Sequence, residues 1–192
     1  MTILTINKTT DKLQTRPLFA VFCSLFKEKK MKVKTKFIAK ASMIAALYTA
    51  LTLVSALFGL SSGVIQVRIS EALCVLPIYS TAAIPGLAVG CLVSNLICGG
   101  TVYDIIFGTL ATLIGALLAY TMKKLPYLSS VPTILSNAAI IPFVLILSGF
   151  GGWEMFPYFA LTVGIGEVIS CGVLGTVLVL YLERHRDLLR YL

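Results

Sequence analysis

The sequence is short of charge. Charged residues make up 12% of its 192 positions, about half of what a soluble domain usually carries. Between residues 41 and 182 there are only seven charged side chains: Arg68, Glu71, Asp104, Lys123, Lys124, Glu154 and Glu167. A chain that is 58% hydrophobic and so poor in charge has more apolar surface than a soluble fold can bury. Histidine is almost missing. The single one, His185, lies in the basic C-terminal stretch, which removes His-dependent serine chemistry and metal proteolysis from the apolar region. There is no Gly-x-x-x-x-Gly-Lys-Ser/Thr phosphate loop, because the stretch from Gly149 to Gly152 lacks the lysine. The chain is therefore not expected to hydrolyse ATP in the usual way. Cys23, Cys74, Cys91, Cys98 and Cys171 include no Cys-x-x-Cys pair and read as small apolar packing residues rather than a disulfide framework or zinc site. No enzyme activity and no cofactor are expected of this chain.

What is present is a series of apolar segments, at about 37–58, 68–83, 85–98, 103–122, 131–149 and 156–182. A helix that crosses a bilayer needs roughly 20 apolar residues. The second and third segments are short and interrupted by Pro77 and Pro85, which is tolerated only where protein or a cavity covers the backbone. These two can also be read as one kinked segment, giving five spans, and charge decides between the counts. Ten of the 16 basic residues fall in the first 40 positions and three in the last nine. Basic flanks mark the cytoplasmic side, so both ends lie inside and the count is even. Lys123 and Lys124 then also fall inside. The predicted fold is an all-α integral membrane protein, a compact six-transmembrane-helix bundle over 36–185. A cytosolic tail precedes it at 1–35, and a short cytosolic C-terminus follows at 186–192. The net charge of +8 is explained by these flanks, and no nucleic-acid partner is expected.

On that topology the polar residues gather in the outer half. Arg68 and Glu71 lie at the outer end of the second segment, Asn95 near the outer end of the third, and Asp104 at the start of the fourth. Trp153 and Glu154 occupy the loop before the sixth. Glu167 lies about three turns into the sixth, near mid-membrane at roughly 1.5 Å per residue. Each has a plainer reading: Arg68 and Glu71 are three apart and can pair with each other, Asp104 can cap a helix, and Trp153 can anchor at the interface. Glu167 is harder to explain without a site, since a carboxylate in lipid costs several kcal/mol. Glu71, Asp104, Glu154 and Glu167 face a single base, Arg68. Surplus carboxylate suits a ligand bearing an amine or several N–H donors. On the first segment, Ala41, Ser42, Ala45, Ala46, Thr49 and Ala50 form two i, i+4 rows of small residues. Such rows let a second helix approach closely, whether from a partner or from this chain's own bundle.

The order of these features resembles the substrate-specific subunits of energy-coupling-factor (ECF) importers, which carry an Ala-x-x-x-Ala element on the first helix. Ala46-Leu-Tyr-Thr-Ala50 and Ala41-Ser-Met-Ile-Ala45 both match it. More narrowly, the chain resembles the queuosine-precursor transporter family. The resemblance rests on Val67-Arg-Ile-Ser-Glu-Ala-Leu73, Ser94-Asn-Leu96, Asp104-Ile-Ile-Phe-Gly-Thr-Leu110 and Gly166-Glu167, and covers roughly 36–185. It implies a 7-deazaguanine ligand, captured from outside and released inward. It also implies partners: a membrane-embedded coupling subunit, which Ala41, Ala45, Ala46 and Ala50 would meet, and two cytosolic ATPases. The implied binding residues are Arg68, Glu71, Asn95, Tyr103, Asp104, Trp153 and Glu167. Carboxylates would take N–H donors, Asn95 a carbonyl oxygen, and Tyr103 or Trp153 the ring face. The loop from Gly59 to Val67 would act as a lid. The rival readings are a subunit of the same kind for another vitamin-like ligand, a stand-alone secondary transporter in the cell membrane, and a structural membrane protein.

Overall fold

The computed structural model describes residues 33–60 and 66–189. Most of the N-terminal tail, Ser61, Ser62 and Gly63 of the expected lid, and Arg190 lie outside the described residues. The described residues form helices only. In chain order these are α1 (Val33–Leu57), a 3₁₀ helix (Ile69–Ile78), α2 (Ala83–Ile97) and a π-helical turn (Asp104–Gly108) that leads into α3 (Thr109–Thr121). Next come a 3₁₀ turn (Pro126–Leu128), α4 (Val131–Leu147), a second 3₁₀ turn (Trp153–Met155) and one long rod made of α5 (Phe156–Glu167), a π-helical stretch (Val168–Leu174) and α6 (Gly175–Arg184). A single turn, α7 (Arg186–Leu189), ends the described chain. Six helical segments thus appear where six are expected. Four are long and apolar enough to cross a bilayer: Lys34–Leu57, Asp104–Thr121, Pro126–Leu147 and Trp153–Arg184. The two shorter ones, Ile69–Ile78 and Ala83–Ile97, are the two that the prolines mark.

The 3₁₀ helix is the core of the bundle. Residues Ser70 to Ile78 are all buried, and the segment packs against α1, α2, α3, α6 and the π stretch of the long rod. An element apolar all round must be enclosed by others, and here five neighbours enclose it. Leu73, Cys74 and Leu76 join Ile44, Tyr48, Leu87 and Ala116 in one apolar cluster.

Two close approaches set the direction of the segments. A Cβ built on Gly86 would lie 2.8 Å from the Ala41 carbonyl, and one on Gly90 would lie 2.8 Å from Tyr48 Cβ and 3.0 Å from the Ala45 carbonyl. Residue numbers rise together along this contact, so α1 and α2 run parallel, and the 3₁₀ helix between them must cross back. Likewise the Arg68 amide donates to Ser170 Oγ at 3.1 Å, and a Cβ on Gly175 would sit 3.0 Å from Val75, so the 3₁₀ helix runs parallel to the long rod. This alternation is what six crossings require. It also puts Lys34, Lys36, Lys123, Lys124 and Arg184 at one end, where Tyr127 Oη donates to Glu183 Oε2 at 2.9 Å.

The Gly90 contact is testable. Gly90→Leu forces α1 and α2 apart, and overpacking of this kind costs about 1–3 kcal/mol. The expected result is a melting temperature several degrees below that of the parent in the same detergent. An unchanged melting curve would mean that the two helices are not in close contact.

The same contact divides the small-residue rows of α1. Ala45 is buried and Ala41 half-buried against α2, whereas Ser42, Ala46 and Ala50 are exposed. Of the four alanines expected to form a docking face, Ala41 and Ala45 face α2, and Ala46 and Ala50 are exposed. The glycines of α2 already occupy that row.

Candidate functional site

Between the N-terminal end of the 3₁₀ helix, α3, α4 and α5 lies a cavity of about 360 Å³, counting its open mouth. The space within it that a water-sized sphere can reach is far smaller, about 20 Å³, room for about one water molecule. Its polar lining comes from Gln66, Arg68, Glu71, Thr112, Asn137 and Glu167, and its apolar lining from Ile141 and Val163, with Gly108 at one edge. The backbone around it is irregular in a specific way. Gly108 ends one π-helical turn and Glu167 immediately precedes the other. Single π turns inside α-helices occur often at functional sites.

The chain is brought to the cavity by Gly166. A Cβ there would fall 2.1 Å from the Gln66 carbonyl oxygen, so only glycine lets the 66–68 segment lie across α5. That segment is then held by the Arg68 amide on Ser170 and by the Ile69 amide on Ser55 Oγ at 3.0 Å. Arg68 and Glu71 reach the cavity from this crossing.

Glu71 is 2% exposed and fully engaged. Tyr48 Oη donates to Oε1 at 2.5 Å, and the Cys74 thiol donates to Oε2 at 3.0 Å. Among the described residues no ion pair joins Glu71 to Arg68, so the pairing that their spacing allows is replaced by these two donors. Glu167 is 8% exposed and differs. Asn137 Nδ2 donates to its Oε1 at 2.8 Å, while its Oε2 and the Asn137 Oδ1 have no partner. Buried polar atoms are nearly always paired. Among the described residues four buried side-chain atoms are not, the others being Tyr79 Oη and Thr133 Oγ1, and of the four residues only Asn137 and Glu167 line the cavity.

The structure therefore gathers Arg68, Glu71 and Glu167 into one cavity, and it leaves four expected residues outside its lining. Asp104 closes a local cap: its Oδ2 accepts from the Thr101 amide at 3.1 Å and from the Thr101 hydroxyl at 2.8 Å. Asn95 braces α2 against this turn, donating to the Asp104 carbonyl at 3.2 Å, and lies behind Gly108. Tyr103 is exposed, and Trp153, 63% exposed, packs edge-on against Phe143 at 5.8 Å. Among the described residues no aromatic side chain lines the cavity, so the flat walls are Ile141 and Val163. Sequence reasoning missed Gln66, Thr112 and Asn137. Asn137 carried a signal, since it is the sole asparagine in an apolar run of membrane length, and an amide there needs partners much as a carboxylate does.

Apolar helices of crossing length around a polar cavity are the features that a membrane protein for a small solute needs. The chain belongs to the QueT transporter family, whose model matches residues 38–184, about three quarters of the chain. Membership of this family, together with several apolar helices of crossing length, fits a multi-pass membrane protein. The chain is also similar to the queuosine precursor transporter QueT of Lactococcus lactis subsp. cremoris, with 37% identity over 83 residues. That alignment covers 43% of this chain and 48% of the relative, so the chain spans about half the length of the curated relative it matches. No solved structure matches.

Proposed function

We propose that this chain is the substrate-binding subunit of an ECF-type importer, and that it captures a 7-deazaguanine queuosine precursor from outside. The observation that carries the reading is the cavity with two buried carboxylates, one of which, Glu167, has an unpartnered oxygen close to the unpartnered side-chain oxygen of Asn137. Such a lining suits a nitrogen-rich ligand with many N–H donors. The name of the Lactococcus relative supports the choice of ligand. Energy comes from partners, because the chain has no phosphate loop. The partners are a membrane-embedded coupling subunit and two cytosolic ATPases. Both termini lie in the cytosol.

The decisive measurement is mass spectrometry of small molecules that co-purify with the protein, followed by calorimetric titration with 7-aminomethyl-7-deazaguanine. A saturable, one-to-one isotherm is expected. Co-purification of a different vitamin-like compound, with no heat from the deazaguanine, would transfer the reading to another ligand.

The docking face and orientation each give an expected result. Ser42, Ala46 and Ala50 form an exposed, flat row on α1, so Ala46→Leu or Ala50→Leu should block assembly with the coupling subunit. Ligand affinity of the isolated protein should change less than about threefold. Co-purification and titration of the same variants check both halves. Cys98 is exposed, whereas Cys74, Cys91 and Cys171 are buried. An impermeant maleimide should therefore label Cys98 in intact cells, and should not reach a cysteine placed at Tyr127 in a Cys98→Ser background. The reverse pattern would turn the protein over in the membrane.

A further inference from the structure

Asn137 on α4 and Glu167 at the end of α5 form a pair with an unusual balance of groups. One hydrogen bond joins them, Asn137 Nδ2 to Glu167 Oε1 at 2.8 Å. It uses one amide N–H and leaves two acceptors, Asn137 Oδ1 and Glu167 Oε2, without any partner. The two residues are 3% and 8% exposed, and both line the cavity. Leaving buried acceptors unpaired costs about 1–3 kcal/mol each, and more for a charged group. A ligand that brings donors removes that cost.

Charge narrows what the donors are. The lining holds one cation, Arg68, and two carboxylates, Glu71 and Glu167. Glu71 already accepts from Tyr48 and Cys74 on both oxygens. Arg68 can balance one ionised carboxylate, so a cation on the ligand would let the second be ionised as well. The oxygen with room for a new partner is on Glu167, not on Glu71. A neutral N–H edge would fill the hydrogen bonds at Glu167 but bring no charge to hold its carboxylate ionised. A primary ammonium supplies three donors and no acceptor, together with the missing positive charge.

We propose that Asn137 Oδ1 and Glu167 Oε2 form the seat of a primary ammonium group on the ligand. The proposal rests on the reading of this chain as a binder of a 7-deazaguanine, and it assigns the amine-bearing arm of that ligand to one end of the cavity. Asn137 becomes a specificity-determining residue. Glu71 becomes a structural carboxylate that shapes the wall and balances Arg68.

The test compares three probes on the full-length protein in detergent: 7-aminomethyl-7-deazaguanine, which carries the ammonium, and 7-cyano-7-deazaguanine and guanine, which do not. The parent should prefer the aminomethyl compound. Glu167→Gln keeps the shape and removes the charge. It should lose about 30-fold or more for the aminomethyl compound while the two neutral probes change by less than about threefold. Asn137→Leu should shift the preference in the same direction by about tenfold. Retained affinity for the neutral probes also shows that the variants fold. Glu167→Asp serves if Glu167→Gln is not monodisperse; it keeps the charge and should keep the preference. Equal losses for all three probes in a variant that melts like the parent overturn the proposal and leave the 7-deazaguanine reading standing, because the pair would then read the base. Unchanged affinities overturn it as well. A parent that binds none of the three brings down that reading, and the proposal with it.

Discussion

Gly166→Ala is expected to abolish ligand binding and to destabilise the protein more than any other alanine substitution at a described glycine. The added Cβ would lie 2.1 Å from the Gln66 carbonyl oxygen and 3.0 Å from its carbon. Elsewhere among the described glycines the nearest atoms lie at 2.8 Å or beyond. The clash at Gly166 is with backbone, so no side-chain rotation relieves it. Either α5 bows away from the 66–68 segment or that segment lifts from α5. In the first case Glu167 moves, and in the second Arg68 and Glu71 move, so both routes distort the cavity. The stability cost should reach about 3 kcal/mol, the upper part of the range for overpacking. Melting curves and titration of the purified variant check the two effects. A variant that melts and binds like the parent would show that the 66–68 crossing is not held as described.

The second large effect lies at Glu71. Glu71→Leu removes an acceptor from two buried donors, Tyr48 Oη and Cys74 Sγ. Each stranded donor costs about 1–3 kcal/mol, so a loss of about 3 kcal/mol or more is expected. Tyr48→Phe should also destabilise, by leaving one carboxylate oxygen bare. The two changes act on one hydrogen bond and should not add. A coupling of about 0.5–3 kcal/mol is expected from the double variant. Additive losses would mean that the Tyr48–Glu71 contact contributes little. Glu71→Leu and Glu167→Gln thus separate: the first is mainly a stability variant, the second mainly a variant of ligand preference.

The contrast between these two acids was hidden in the sequence. Both are lone carboxylates in apolar surroundings, and their cost in lipid singles out both. Whether a carboxylate is already satisfied depends on Tyr48, 23 positions earlier, and on Asn137, 30 positions earlier, and no local pattern reports such pairings. The same limit applies to Asp104, where the plain capping reading describes the contacts in the structure.

The positions of the helical segments were legible, because length and hydropathy are additive along the chain. The expected starts at 131 and 156 coincide with α4 and α5, and α1 begins at Val33 rather than at 37. The kind of helix was not legible. Winding is read from the spacing of polar residues around the axis, and the segment Ile69–Ile78 is buried from Ser70 onward. With no polar face there is no period to read, so its 3₁₀ winding and the π stretches were invisible. Charge gave the even count, and the parallel pairs of segments agree with it.

The 3₁₀ winding has a consequence for depth. At about 2.0 Å per residue, the ten residues Ile69–Ile78 reach roughly 20 Å, against roughly 30 Å for the hydrocarbon layer. An α-helix of the same length would reach about 15 Å. The central post of the bundle is therefore shorter than the wall around it by roughly a third of the membrane. Its N-terminal end, which carries Glu71 and follows Arg68, is the end that opens on the cavity. The cavity occupies that missing height, with Arg68 and Glu71 as its floor and α3, α4 and α5 as its sides. Winding the post more tightly would have closed the chamber, and winding it as an ordinary helix would have deepened it by about 5 Å.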